Sequence, residues 1–324
     1  MNDFSQRPLT DADASAYADL THVMSRADGS SHRADEAGFR FHLNHPLRAN
    51  GFEDFQGVFD GDRLVAMAWL QRAGTADTAH WMQADGGVHP DYRGRGLGTS
   101  LLRWQADLAP RIHEHYFPGR PLELTARVAD TNTAARDLFA HEGFTPVRWS
   151  VSMRRPAEAP EPEAELPEGL VLEPYTPAVA RELRLAHNEI FLDHFRGSPW
   201  PEDAWLAWIA QDKIRHDLSF LLRDPESDGT IAGFVISSHS IAEDIAPDAR
   251  ELHLNIVGTR RPYRGRGVAS GLITQVVRAA RKHGYPTQSL GVDAENSTGA
   301  ISVYEHSGFE AVRRYVLYNK VYGV

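Results

Sequence analysis

The sequence predicts a mixed α/β fold built twice, each copy a largely antiparallel sheet flanked by helices. Three observations carry that expectation. The pentapeptide YRGRG occurs at Tyr92–Gly96 and again at Tyr263–Gly267. A second matched pair follows in the same order, NTAARDLFAHEGF from Asn132 to Phe144 and NSTGAISVYEHSGF from Asn296 to Phe309. Around these motifs, short runs rich in strand formers alternate with stretches of helical spacing. Two motifs recurring in order at nearly one offset mark a duplicated domain. Early strands followed by strand–helix–strand mark a mixed sheet with helices on both faces. The 324 residues suit two domains of roughly 150 each.

Each element has a local reason. Phe55–Phe59 and Arg63–Leu70 read as consecutive strands turned by Asp60-Gly61. Leu97–Leu108 has helical spacing, Leu122–Val128 is strand-like, Asn132 caps a helix to His141, and Trp149–Arg155 closes the half. The second half repeats the plan. Leu218–Leu222, Ile231–Ser237 and Glu251–Val257 are strands, Val268–Lys282 is a helix, and Ser289–Asp293 is a strand. A helix near Thr298–His306 and a strand over Arg313–Val321 complete it. A small insert around Ile112–Pro121 absorbs the difference in spacing between the halves. Arg155–Gly169, RPAEAPEPEAELPEG, offers almost nothing to bury, so Pro and like charges should keep it extended and solvated. The expected division is therefore 1–155, a linker at 156–169, and 170–324.

Composition removes whole classes of function. Lys plus Arg is 34 against 44 Asp plus Glu, a net charge of −10, which disfavours nucleic acid and anionic membrane as partners. The absence of cysteine excludes disulfide scaffolds, zinc-thiolate sites, iron–sulfur clusters and a cysteine nucleophile. With no secretory pattern at the N-terminus and no apolar run near ~18 residues, a cytoplasmic protein is expected. The 16 histidines include no H-E-x-x-H pair, so no metal is expected.

The repeated loop carries the chemistry. Arg264-Gly265-Arg266-Gly267-Val268-Ala269 lies between a strand and a helix, as does Arg93-Gly94-Arg95-Gly96-Leu97-Gly98. Glycines let the backbone turn tightly and approach a ligand. The following helix offers free N–H groups and the positive end of its dipole, and the arginines add charge. The expected ligand is a phosphate or pyrophosphate. Neither loop is a Walker A motif or a dinucleotide fingerprint.

Arg-x-x-Gly-x-Gly/Ala after a strand, followed by Asn…Ala…Tyr…Gly-Phe, resembles the acetyl-CoA signature of the GNAT N-acetyltransferase superfamily, and both halves carry it. A tandem chain of this length resembles the mycothiol synthase-like group. The resemblance implies two tandem GNAT-like acetyl-CoA-binding domains and transfer of acetyl to an amine by direct attack in a ternary complex. It implies that the loop amides hold the CoA pyrophosphate; whether the first half binds acetyl-CoA stays open. It also implies that the splayed strand before each loop, Glu251–Thr259 and about His80–Val88, pairs with pantetheine and polarises the thioester through a backbone N–H. The implied cofactor-binding residues are Val257, Gly258, Thr259, Arg264, Gly265, Arg266, Gly267, Val268, Ala269 and Asn296, and in the first half Val88, Arg93, Gly94, Arg95, Gly96, Leu97, Gly98 and Asn132.

The halves differ where that chemistry needs a proton. Tyr304 stands four residues before Gly308-Phe309, at the implied general-acid position, and Phe139 stands there in the first half. The second half is therefore expected to be catalytic. A base is also required, because an aliphatic amine is protonated at neutral pH. His253 is the first choice and Glu251 the second; alternation puts Glu251, His253 and Asn255 on one face, and counting back from the loop sets Met82 opposite His253. In the implied acceptor loop, Asp193 could pair with a cationic amine and Trp200 could stack on a sugar or hydrocarbon. The expected acceptor is a small primary amine, a cysteinyl aminosugar–inositol being the specific version. The alternatives are a protein amine and a non-catalytic acyl-CoA-binding module. A monomer with pseudo-dimeric halves and a homodimer both remain open.

Overall fold

The computed structural model describes residues 4–28, 34–49, 51–76, 78–192, 194–195, 197–242, 244–246, 248–295 and 299–323. The chain forms two compact units. Unit 1 is Met1–Val147 with Val316–Val324, and unit 2 is Arg148–Tyr315.

Unit 1 contains β1 (Ser5–Pro8), α1 (Ala14–Ala27), α2 (Glu36–Leu43), β2 (Phe55–Asp60), β3 (Arg63–Arg72), β4 (His80–Val88), α3 (Leu97–Tyr116), β5 (Leu122–Ala129) and α4 (Thr133–His141). β1, β2, β3 and β4 pair antiparallel in that order, and β4 pairs parallel with β5. The expected insert is largely an extension of α3, which runs on to Tyr116. Tyr17, Leu20 and Phe39 of α1 and α2 pack with Phe55, Phe59 and Trp69, and Leu101 of α3 packs with Val58, Val65 and Ala68, so helices cover both faces.

Unit 2 repeats this with β6 (Thr145–Arg155, in this unit from Arg148), β7 (Val171–Pro174), α5 (Ala180–Phe191), α6 (Glu202–Ile209), β8 (Phe220–Asp224), β9 (Thr230–Ile241), β10 (Arg250–Thr259), α7 (Val268–Lys282), β11 (Thr287–Asp293) and α8 (Ala300–His306). β12 (Glu310–Tyr322) follows and enters unit 1 at Val316. β7, β8, β9 and β10 pair antiparallel, β10 and β11 parallel, and β11 and β6 antiparallel. Leu272, Ile273, Val276, Val277 and Ala280 recur at helical spacing on α7 and bury against Leu222, Val235, Leu252, Leu254 and Leu290. Leu183, Ala186 and Ile190 of α5 and Trp205 of α6 bury against Leu221, Phe234 and Ile236 from the other side. β9, covered on both faces, reads accordingly as a nearly continuous apolar run.

The units do not divide at the Pro/Glu-rich segment. Each half of the chain gives its last strand to the other unit. β6 supplies the partner of β11, with Gln288 opposite Arg155 and Asp293 opposite Ser150. The tail of β12 lies beside β5. Nor is 156–169 a free linker. It packs along α7: Arg278 pairs with Glu161 at 2.6 Å, Arg281 donates to the carbonyls of Ala157 and Ala159, and Leu166 rests on the core. Arg155, fully buried beneath it, donates to Ser307 O at 3.1 Å. Composition registers how polar the segment is. It does not register that two arginines of α7 offer partners for its carboxylate and carbonyls.

Candidate functional site

A cavity of about 950 Å³ opens in unit 2 between β10, β11, α5, α8 and the loop before α7. It lies within the size range of small-ligand sites. β10 and β11 create it by separating. Their parallel register runs from Glu251 opposite Thr287 to Leu254 opposite Leu290 and stops. Beyond that point Ile256–Thr259 and Gly291–Asp293 line facing walls. The separation coincides with a bulge. β10 shifts register against β9 between Leu254 and Ile256, so Asn255 has no partner across the ladder. A bulge frees one residue from the ladder and turns the strand, and Asn255 lines the cavity.

The glycine loop forms the mouth. Gly265 and Gly267 have φ of 72° and 80°, conformations that a side chain resists. A Cβ at either position would meet nothing within 4 Å, so the backbone conformation, not crowding, requires glycine. The first helical bond of α7 is Gly271 N–H to Gly267 O, and among the described residues the amides of Val268, Ala269 and Ser270 have no backbone acceptor. Arg264 Nε donates to Thr259 O, and among the described residues no carboxylate pairs with its guanidinium. These features suit a diphosphate. Val257, Gly258, Thr259, Arg264, Gly265, Gly267, Val268, Ala269, Trp200 and Tyr304 all line the cavity. Arg266 does not; its guanidinium lies 5.3 Å from the Tyr263 ring. Asn296 and Asp193 lie outside the described residues.

Tyr304 enters from α8, its ring edge-on to Phe309. Burial pushes its phenol up to about 12, so it is a donor throughout the neutral range. Opposite stand ring side chains of α5, α6 and the connection between them: His187, Phe191, His194, Trp200 and Trp208. His187 stacks on Phe191 at 4.7 Å, and burial pulls its imidazole down to about 4, leaving it neutral. Sequence reasoning passes over His187 and places Asn255 only on the face of Glu251 and His253, without a role. His187 sits among apolar residues at helical spacing and reads as core; a bulge has no signature in an alternating strand.

The two base candidates stand differently. Neither His253 nor Glu251 is on the cavity wall. His253 faces Ser238 of β9 and Ile256 faces Ile236, so the two side chains share a face and His253 is one step from the lining. Asn255 does not continue that face, because it is the bulged residue. Glu251 is buried, with Oε2 accepting from Arg154 Nε at 2.6 Å and Oε1 from Ser289 Oγ at 2.7 Å. Both of its carboxylate oxygens are thus occupied by donors.

Unit 1 keeps the loop and the parting of its parallel strands, β4 leaving β5 after Ala84 opposite Ala126, and differs at the other features. Gly94 and Gly96 have φ of 74° and 82°, and Ser100 N–H makes the first bond of α3, to Gly96 O. Arg93 differs from Arg264: it is held by both oxygens of Asp28 at 2.9 Å. Asn132 Oδ1 caps α4 by accepting from Ala135 N–H. β4 pairs with β3 without a register shift, so it has no bulge. Phe139 packs on Phe144 and Tyr318. Because only β10 holds an extra residue, counting back from the loop slips by one. Met82 is buried in the core near Leu102 and Leu124, and the residue matching His253 is Gln83.

One feature of the repeated pentapeptide is the same in both units. Tyr263 Oη donates to Asp224 at 2.7 Å and Tyr92 Oη to Asp60 at 2.9 Å. Each tyrosine ties its loop to the end of the strand two before the splayed one.

Comparison with known proteins agrees with this geometry. The acetyltransferase (GNAT) family model matches residues 182–309, and a second acetyltransferase (GNAT) domain model matches 53–146. The chain is 31% identical to a protein of Thermobispora bispora named mycothiol acetyltransferase, over 96% of this chain and 97% of that one. It is 30% identical to the protein of that name in Streptomyces coelicolor, over 93% and 89%. A GCN5-related N-acetyltransferase from Sphaerobacter thermophilus superposes with a TM-score of 0.74 at 27% identity, over 99% of this chain and 97% of that one. A tandem GNAT protein of clavulanic acid biosynthesis shares the fold, with a TM-score of 0.71 at 18% identity over 99% of each chain.

Proposed function

The chain belongs to the GNAT acetyltransferase family, and from that premise we propose that unit 2 transfers acetyl from acetyl-CoA to the primary amine of a small molecule by direct attack. The observation that carries the reading is the single cavity joining a free diphosphate loop, a bulged and splayed strand, and a buried tyrosine.

Each part has a role. The amides after Gly267 and the guanidinium of Arg264 receive the CoA diphosphate. Pantetheine lies along Ile256–Thr259, where β10 has parted from β11. The strand at Asn255 offers a backbone N–H to the thioester oxygen, which gains charge as the amine attacks. His253 removes the ammonium proton. Tyr304 donates to the sulfur as CoA departs. A free thiol has a pKa near 8.5 in water, well below a phenol near 12. The same burial that raises the phenol raises the thiolate, which brings the two closer. The ring wall of His187, Phe191 and Trp200 receives the acceptor's carbon skeleton. The name of the Thermobispora bispora and Streptomyces coelicolor relatives directs the first choice of acceptor to the cysteinyl aminosugar–inositol. Unit 1 serves as a non-catalytic CoA-type module, because Phe139 has no proton to give and Asp28 occupies Arg93.

The test is acetylation of a panel of primary amines, including that aminosugar, followed by product mass. The protein has no cysteine, so with an acceptor that lacks a thiol the thiol signal reports released CoA alone. Acetyl-CoA-dependent product from at least one small amine supports the reading. Acetylation confined to protein lysines, or no product across the panel despite acetyl-CoA binding, would contradict it.

A further inference from the structure

We propose that Glu251 and Ser289 are positioning residues that hold His253 as its Nδ1–H tautomer, so that Nε2 carries the lone pair that takes the amine proton. The proposal rests on the reading of His253 as the base.

Three side chains lie on one face of the parallel pair β10–β11. Glu251 and His253 alternate along β10, and Ser289 stands opposite His253 on β11. Ser289 Oγ is 2.7 Å from Glu251 Oε1, and His253 Nδ1 is 2.9 Å from Ser289 Oγ. Glu251 and Ser289 are both buried. On the far side Arg154 Nε donates to Glu251 Oε2 at 2.6 Å, and the rest of that guanidinium is paired with Asp244 at 2.8 and 2.9 Å.

The direction of each hydrogen bond follows from proton counting. Glu251 Oε2 is ion-paired with Arg154 Nε at 2.6 Å. An ionised carboxylate only accepts, and a serine hydroxyl has one hydrogen to give. Ser289 must therefore donate to Glu251, since turning that hydrogen toward His253 would set oxygen lone pairs of Ser289 and Glu251 against each other at 2.7 Å. With its hydrogen committed, Ser289 Oγ can only accept from His253. Nδ1 is then protonated, and in the neutral ring the lone pair is on Nε2. A carboxylate that fixes a catalytic imidazole's tautomer is a recognised device; here a serine stands between the two.

Unit 1 is an internal control. Trp81, Gln83 and Thr125 occupy the places of Glu251, His253 and Ser289, and the Thr125 hydroxyl donates to Met82 O at 3.0 Å instead. The fold therefore forms without the relay, and the relay occurs only in the unit that also has the bulge and Tyr304.

The test uses the full-length protein labelled with 15N-histidine, with a His253→Gln spectrum to assign the signal. The wild type should show the neutral form of His253 protonated at Nδ1 and not at Nε2. Ser289→Ala should yield a tautomer mixture and lower kcat about tenfold or more, with KM for acetyl-CoA within about twofold, and Ser289→Thr should restore both. Glu251→Gln should shift the tautomer in the same direction. A wild-type ring protonated at Nε2, or a Ser289→Ala enzyme with unchanged kcat while His253→Gln is severely impaired, overturns the proposal. If His253→Gln keeps full activity, the base assignment itself fails, whatever tautomer the spectrum reports.

Discussion

At the scale of single residues, two buried rings matter most, Tyr304 and His187. Tyr304→Phe removes one oxygen from a ring packed on Phe309, and Phe139 already occupies the equivalent helix position in unit 1. We expect kcat to fall about a hundredfold, as for loss of a general acid, with acetyl-CoA affinity unchanged by calorimetry. His187 makes a second prediction, about pH. Burial holds its folded pKa near 4, below the 6.5 of an exposed imidazole. The unfolded chain binds the extra proton, so this contribution to stability is complete above about pH 6.5 and is lost as pH falls toward 4. The size is on the order of 3 kcal/mol. His187→Phe, which preserves the stack on Phe191, should flatten the loss measured by urea unfolding at pH 7 and pH 4.5. An unchanged pH slope would place the acid sensitivity elsewhere. Tyr304 was legible because its distance from Gly308-Phe309 is a local pattern. His187 was not, because a buried histidine on an apolar face looks the same in sequence whether or not a cavity opens beside it.

At the scale of elements, the loop and the strand before it differ in how much the sequence discloses. The loop is a local matter: two glycines with positive φ followed by a helix start can be read from six residues. The bulge at Asn255 is decided by pairing with β9, and the run ELHLNIV alternates acceptably with or without it. That is why simple counting matched His253 with Met82 instead of Gln83. The loop also depends on an anchor outside itself. Tyr263→Phe deletes the hydrogen bond to Asp224, typically worth about 1 kcal/mol, more to a charged partner. The expected result is a several-fold rise in KM for acetyl-CoA at constant kcat. If kcat fell instead and KM held, the tyrosine would be acting on the reacting atoms and not on the loop.

At the scale of the whole molecule, the exchange of terminal strands decides what can be separated. The stretch 170–324 has the proposed catalytic residues but lacks β6 and the segment docked on α7. Expressed alone it would expose the β11 edge from Gln288 to Asp293 and unpair Glu251 from Arg154. It should fail to give a cooperative thermal transition by circular dichroism, whereas the full chain should give one. A folded, acetyl-CoA-binding 170–324 fragment would show that β6 is dispensable. Duplication was legible from the repeated motifs. The exchange was not, because strand partners are chosen by contacts distant in sequence.

The central claim is that acetyl transfer takes place in unit 2 and not in unit 1. The most direct measurement compares acetyl-CoA turnover in two variants that apply the same change to the two loops, Gly267→Ala and Gly96→Ala. Both force a side chain into a φ near 80°, at a cost of about 1–2 kcal/mol. Gly267→Ala should lose about tenfold or more in kcat/KM for acetyl-CoA, while Gly96→Ala should stay within about twofold of the parent. Loss that follows Gly96 and spares Gly267 would contradict the claim.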